Sequence, residues 1–254
     1  MRSHDGNDRI EEIGWICMLM LDKTQAVLRP ASTSDAVSCA RLIHLCGPRI
    51  YEFQFANRPP TLFHLFEYLS QQNHNLLSLS QATVCEHEGM VVGMVLGFPA
   101  RDAKKRSLST FRSMLFGRSG VSIASCVRSV FRFARLDALG YPALHSDEYF
   151  ISNLSTLESH RRQGIARRLL MHIEQFAIEN DFRKLSVYVE VDNTCAIESY
   201  ERCGFTKAET DFLPPRFEQH GLKGFSKMVK VLKADAEECS MKSGNNQGGK
   251  RFVN

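Results

Sequence analysis

The sequence predicts a mixed α/β (α+β) domain: a central sheet of about seven strands flanked by helices, with a basic helical insertion between the third and fourth strands. Three observations predict it. Leu185, Val187, Val189 and Val191 alternate with Ser186, Tyr188, Glu190 and Asp192, the two-residue period of a strand. Between Gly164 and Asn180, Ile165, Leu169, Ile173, Phe176 and Ala177 fall on one face of a helix. Segments of these two kinds follow one another along most of the 254 residues, 43% of which are hydrophobic. That content excludes disorder across the whole chain.

The elements follow in order. Residues 1–24 form an N-terminal extension without a clear pattern, within which Met18 and Met20 are alternative starts. Its apolar stretch, Ile13 to Leu21, is nine residues, against the roughly 20 needed to span a bilayer. It follows acidic residues and lacks a small-residue cleavage site. The domain proper runs over 25–232. Ala26–Pro30 is a short strand, and Ser32 to Asp35 cap a helix from Ala36 to Cys46 that Gly47-Pro48 stops. Thr61–Leu79 is a second helix. Ala82–Glu86 and Met90–Phe98, joined by His87-Glu88-Gly89, form a hairpin. The insertion occupies 100–146, with helical spacing over Val121–Leu139. Tyr149–Leu157 is a strand, and a helix from Thr194 ends at Gly204. Strands Phe205–Asp211 and Lys223–Leu232 close the domain. Residues 233–254, rich in Ser, Gly and Asn, read as a disordered tail.

Eight cysteines without Cys-x-x-Cys spacing read as reduced thiols, which points to the cytoplasm. No metal site is expected. His87-Glu88 opens like a zinc-protease helix, but Val91 stands where the second His belongs. The net charge of +4 is uneven, because Arg101–Arg135 holds nine Lys/Arg against one acid. Clustered cations would hold nucleic-acid phosphates. Val121, Ile123, Val127, Val130, Phe131 and Phe133 make the segment too apolar for a pure nucleic-acid arm, so nucleic acid is disfavoured. A basic amphipathic helix also suits an anionic membrane or a partner. The favoured account is a helical lid, packed by its apolar face, that borders the acceptor cleft.

Two stretches carry chemistry. In the first, a strand enters the basic turn Arg161-Arg162-Gln163-Gly164-Ile165-Ala166 and opens onto a helix. A helix start presents unpaired amides and a positive dipole end, so this is either a phosphate site or a surface turn with chance arginines. In the second, Asn193, Ala196 and Tyr200 are spaced i, i+3, i+7 on one helix face after a strand. They suit a ligand chain, or equally an N-cap and a core tyrosine.

Together the two stretches resemble the GCN5-related N-acetyltransferase (GNAT) superfamily. Its Arg/Gln-x-x-Gly-x-Gly/Ala motif is met by Arg161 to Ala166, and its strand followed by Asn, Ala and Tyr ahead of Gly-Phe by Asn193, Ala196, Tyr200, Gly204 and Phe205. The resemblance spans Val27 to Leu232 and implies acetyl-CoA as the acyl donor. It assigns the pantetheine to the backbone of Leu154, Ser155 and Thr156 and to Asn193. The pyrophosphate falls to the amides of Arg161, Arg162, Gln163, Gly164, Ile165, Ala166 and Arg167. Tyr200 becomes the general acid; a tyrosine of ordinary pKa, about 10, stays protonated at neutral pH.

The general base departs from the family pattern, since its position falls on Phe150. Glu148, two residues away, and Glu190, which shares a face with Tyr188, are the candidates. Ordered water, or an amine that arrives neutral, would dispense with both. The reading is an N-acetyltransferase acting by direct attack on a primary amine, small-molecule or peptide. The alternative is a catalytically silent acyl-CoA-binding or interaction module using the basic insertion. A nucleotide-binding Rossmann protein is disfavoured, because the glycine turn comes late in the chain. Dimers are frequent among relatives of this kind.

Overall fold

A computed structural model describes residues 26–117, 119–139 and 143–232, so the N-terminal extension and the tail lie outside the described residues. Seven strands form one sheet: β1 (Val27–Pro30), β2 (Ala82–His87), β3 (Met90–Pro99), β4 (Glu148–Thr156), β5 (Lys184–Glu190), β6 (Thr206–Phe212) and β7 (Gly224–Val231). Their order is β1-β2-β3-β4-β5-β7-β6. Only the β4–β5 pair is parallel. Seven α-helices accompany them: α1 (Ala36–Cys46), α2 (Pro48–Gln54), α3 (Thr61–Ser70), α4 (Ala103–Phe116), α5 (Ile123–Leu139), α6 (Ile165–Glu179) and α7 (Thr194–Arg202).

The sheet is covered on both faces. One core joins α1, α3 and the insertion to β2, β3 and Phe150 of β4. The other joins α6 and α7 to Val92, Val95, Tyr149, Ile151, Leu185, Val187 and Val189. The alternation of β5 is thus honoured, although Ser186 on its polar face is also fully buried. The expected strands match the observed ones within a residue or two.

Two helical expectations need correction. Gly47-Pro48 does stop α1, but it also starts α2. Gly47 is the flanking residue of both helices, and Pro48 sits in the first turn of α2, where its missing N–H costs nothing. The helix from Thr61 ends at Ser70 rather than Leu79. There Asn75, fully buried, donates to the Leu69 and Gln72 carbonyls and accepts from the Leu77 amide. That side chain closes a turn the apolar pattern did not foreshadow.

The insertion is a pair of helices, α4 and α5, between β3 and β4. Of its apolar residues, Phe133 enters the core, whereas Ile123 and Phe131 are 72% and 71% exposed. The face of α5 that packs inward is instead built from Ser125, Cys126, Ser129, Phe133 and Leu136. Among the described residues no helix is long and apolar enough to cross a membrane.

The first strand and helix are tied by charge. Arg29 holds Asp35 with two hydrogen bonds of 2.7 and 2.9 Å, and the Ser32 amide and hydroxyl donate to the same carboxylate. Arg29 therefore keeps the Asp35 carboxyl well below the usual carboxylate range. Asp35→Asn is expected to cost about 1–2 kcal/mol, allowing for the one-third-exposed Arg29. Because the folded-state pKa is depressed, the difference from wild type is full above the ordinary value of 3.8 and is lost as pH falls below it. Urea unfolding of both proteins at pH 7 and pH 3 measures this.

Candidate functional site

The central event in the sheet is a parting of strands. The β4–β5 pairing runs from Glu148↔Lys184 to Ile151↔Val187 and stops, although β4 continues to Thr156 and β5 to Glu190. Next to the parting, Leu96 faces Asn153 and Gly97 faces Ile151, so Ser152 has no partner on β3 and forms a bulge. A bulge bends its strand and sharpens the local twist, which turns the second half of β4 away from β5. The β5-side backbone of residues 153–156 is left without a strand partner in the resulting gap.

Leu154, Ser155 and Thr156 line that gap. The Ser155 hydroxyl donates to the Leu42 carbonyl of α1 at 2.8 Å, so what this residue offers the gap is its backbone. Thr156 Oγ1 is buried and unpartnered. The chain then passes through a short turn, Glu158–His160, to the basic loop. Arg162 (φ +63°) and Gly164 (φ +78°) are both left-handed, and successive amides of such a turn form a concavity for anions. The first bond of the α6 ladder joins the Arg168 amide to the Gly164 carbonyl at 3.0 Å, so the amides of Ile165, Ala166 and Arg167 precede it. Arg161, Arg162, Gln163, Gly164 and Arg167 are exposed, while Ile165 anchors the helix in the core. A glycine makes that anchoring possible. A Cβ on Gly93 of β3 would stand 2.9 Å from Ile165 Cγ2 and 3.2 Å from the Ser155 carbonyl.

On the other side of the gap, Asn193 caps α7 by accepting the Ala196 amide at 3.2 Å. The cap uses the side-chain oxygen and leaves the amide NH2 for another acceptor. Tyr200 is 8% exposed and packs edge-on against Phe205 at 5.3 Å. Burial raises its pKa above the ordinary value of 10, and the Cys46 and Cys203 thiols raise it further. Cys46 ends α1, which packs on one face of the sheet, and Tyr200 belongs to the core on the other.

The two candidate bases fare differently. Glu148 lies in the paired half of β4, three residues before the parting, and is 1% exposed. Its carboxylate is 2.8 Å from Lys227 Nζ, which also donates to the Ala143 carbonyl. That buried ion pair occupies one oxygen of Glu148; the other, Oε2, is buried without a partner, and residue 148 lies in the half of β4 that β5 still pairs. Glu190 ends β5 at the gap, close enough to Cys46 to affect its titration. Arg49 grips one of its oxygens, and the other, Oε1, is buried with no partner. Burial raises the Glu190 pKa, against the lowering pull of Arg49.

Four residues of the site escaped the sequence reading: Cys46, Arg49, Tyr51 and Asn153. Asn153, 1% exposed, donates to the Tyr51 hydroxyl and accepts from Ser152 Oγ at 3.0 Å. Cys46 meets the Leu154 amide and the Asn153 side chain, and burial pushes its thiol pKa up. Arg49 also binds Asp192, with contacts of 2.9 and 3.1 Å. Arg49 and Tyr51 lie on α2, whose own pattern of Ile50, Phe53 and Gln54 at i, i+3, i+4 was the available clue.

Comparison with known proteins agrees with this geometry. The sequence profile of the acetyltransferase (GNAT) family matches residues 48–205, more than half of the chain. Among curated proteins no match is found. Among solved structures, an N-acetyltransferase from Staphylococcus aureus Mu50 superposes with a TM-score of 0.61 at 18% identity, covering 80% of this chain and 99% of that one. A second crystal structure, described as an acetyltransferase, superposes with a TM-score of 0.59 at 19% identity over 82% of this chain and 100% of that one. At these identities the likeness is one of fold.

Proposed function

Since the chain belongs to the acetyltransferase (GNAT) family, we propose that it transfers an acetyl group from acetyl-CoA to a primary amine by direct attack, with Tyr200 as general acid and Glu190 as general base. The observation that carries this reading is the gap between β4 and β5, followed in the chain by a turn with Arg162 and Gly164 left-handed; the reading sets the pyrophosphate at that turn and Tyr200 and Glu190 at the gap.

In this reading the β5-side backbone of residues 153–156, the Thr156 hydroxyl and the Asn193 amide hold the pantetheine. The amides from Arg161 to Arg167 take the pyrophosphate. The N–C bond forms as the thioester C–S bond breaks. Glu190 Oε1 accepts the proton that leaves the amine nitrogen, and Tyr200 donates one to the departing sulfur. A tyrosine raised by burial stays protonated, and a carboxylate raised by burial is a stronger base than an exposed one. Direct attack is favoured because the thiol in the gap, Cys46, is raised by burial and stays protonated, a poor nucleophile.

Calorimetric titration with acetyl-CoA, beside NAD as control, tests the donor. One-to-one micromolar binding of acetyl-CoA alone is expected. Thiol release with a panel of amines then tests transfer. A folded protein that ignores acetyl-CoA would sink the proposal.

A further inference from the structure

The inner face of the insertion meets α2 at a cavity that the acyl-transfer chemistry leaves unused. The cavity is about 500 Å³ and is walled by Arg49, Glu52 and Phe53 of α2, Arg58 of the following loop, Arg132 of α5 and His220 of the β6–β7 loop. A neighbouring hollow of about 230 Å³ shares Phe53 and His220 and adds Arg135 and Arg216.

Its charge is predominantly positive, with Arg49, Arg58 and Arg132 against the single acid Glu52. Glu52 meets His44 at 3.3 Å, and Arg49 is held by Glu190 and Asp192. Among the described residues no carboxylate pairs with Arg58, Arg132, Arg135 or Arg216. Arg132 is held in place rather than waving in solvent. Its Nη1 donates to the Phe53 carbonyl at 2.7 Å, and its guanidinium lies 4.9 Å from the centroid of the Phe53 ring. Arg135 and Arg216 both rest on Phe217, at 5.7 and 5.6 Å.

Residues of α2 reach both the cavity and the gap. Arg49 lines the cavity and grips Glu190, and Tyr51, two residues on, bonds Asn153 inside the gap. A ligand there would have unneutralised guanidinium groups on one side and the Arg49–Glu190 pair on the other.

We propose that this cavity is the acceptor pocket, and that it takes a primary amine which also carries a carboxylate or a phosphate. Arg58 and Arg132 hold the anion while the amine faces Glu190. The planar forks of arginine match both anions with paired hydrogen bonds. The basic segment then has a definite task, since it supplies Arg132 as an acceptor-selecting residue. This inference rests on the acetyl-transfer reading, but its test does not depend on turnover.

The protein saturated with CoA is titrated with β-alanine against propylamine, with phosphoethanolamine against ethanolamine, and with spermidine. The amine that carries the carboxylate or phosphate is expected to bind at least about tenfold tighter than its partner that lacks it, in line with a charge-assisted hydrogen bond. The pair that shows the larger preference identifies the anion. Arg58→Gln and Arg132→Gln each reduce the preference about tenfold and leave CoA affinity unchanged. Arg58 is exposed, so its variant stays informative if loss of the Arg132–Phe53 brace unsettles the fold. The inference is overturned if neutral or cationic amines bind as well as anionic ones, if none of these amines binds, or if both variants keep the preference. Anion-selective binding without thiol release would remove the acetyl-transfer reading and keep the pocket. Efficient acetylation of spermidine or ethanolamine would keep the reading and discard the pocket.

Discussion

Gly164→Asp is expected to weaken acetyl-CoA binding by at least about a hundredfold, which is about 2.8 kcal/mol. The residue stands at the mouth of α6, immediately before the first-turn amides of Ile165, Ala166 and Arg167. Three causes add up there. The carboxylate competes for the amides that a phosphate would use, repels the phosphate itself, and fills space that bare backbone leaves open. A fourth cause, backbone strain, has to be separated from them. At φ +78° most side chains are penalised, but Asn and Asp visit this region more readily than others. Gly164→Asn therefore supplies the same shape without the charge. Calorimetry on the three proteins should show a modest loss for Asn and near-abolition for Asp, with both variants melting close to wild type. If the Asp variant is folded and still binds, the pyrophosphate lies elsewhere.

How much of this site the sequence discloses depends on whether a residue acts through local pattern or through a long-range meeting. The basic turn and the α7 face were legible, because Arg161 to Ala166 and Asn193 to Tyr200 are short runs whose spacing carries the geometry. The strand alternation around Val187 was legible for the same reason. Glu148 and Glu190 looked alike in the sequence, each being an acid on a polar strand face. What separates them is a lysine 79 residues downstream of one and an arginine 141 residues upstream of the other. No local rule reports such partners. The Ser152 bulge was equally hidden. It exists only as a register difference between two strands, yet it parts β4 from β5 and turns Asn153 toward Tyr51.

The helix reading failed for a related reason. Gly47-Pro48 does stop α1, but a proline tolerated in a first helical turn is also a start. With α2 unseen, Arg49 and Tyr51 could not be placed. The insertion shows the opposite error. Residue type alone puts its apolar residues on the inner face, whereas Ser125 and Ser129 are buried there beside Cys126, Phe133 and Leu136, and Phe131 faces solvent. Ser129 manages this by returning its hydroxyl to the Ser125 carbonyl at 2.9 Å. Small polar residues bury cheaply when the helix backbone satisfies them.

Tyr200→Phe is expected to lower kcat by roughly a hundredfold or more, the usual scale of a lost general acid, with acetyl-CoA affinity unchanged. The phenol hydroxyl has no hydrogen-bond partner among the described residues, so removing it costs the fold little. A fall in rate is then not a fall in folded protein, and equal melting temperatures would show it. The pH profile separates acid from base. The raised Tyr200 pKa keeps the donor protonated, so wild-type kcat should show no alkaline loss from this group until above pH 10. Glu190 acts deprotonated, so the rate climbs as pH rises through its pKa, which lies above the ordinary 4.5. Glu190→Gln should lose most of the rate and flatten that acidic limb, while Tyr200→Phe keeps the limb at a lower plateau. If Tyr200→Phe turns over at the wild-type rate, the proton on the departing thiol comes from water. The gap would then serve to bind the donor and align the amine, with Glu190 as its one titrating participant.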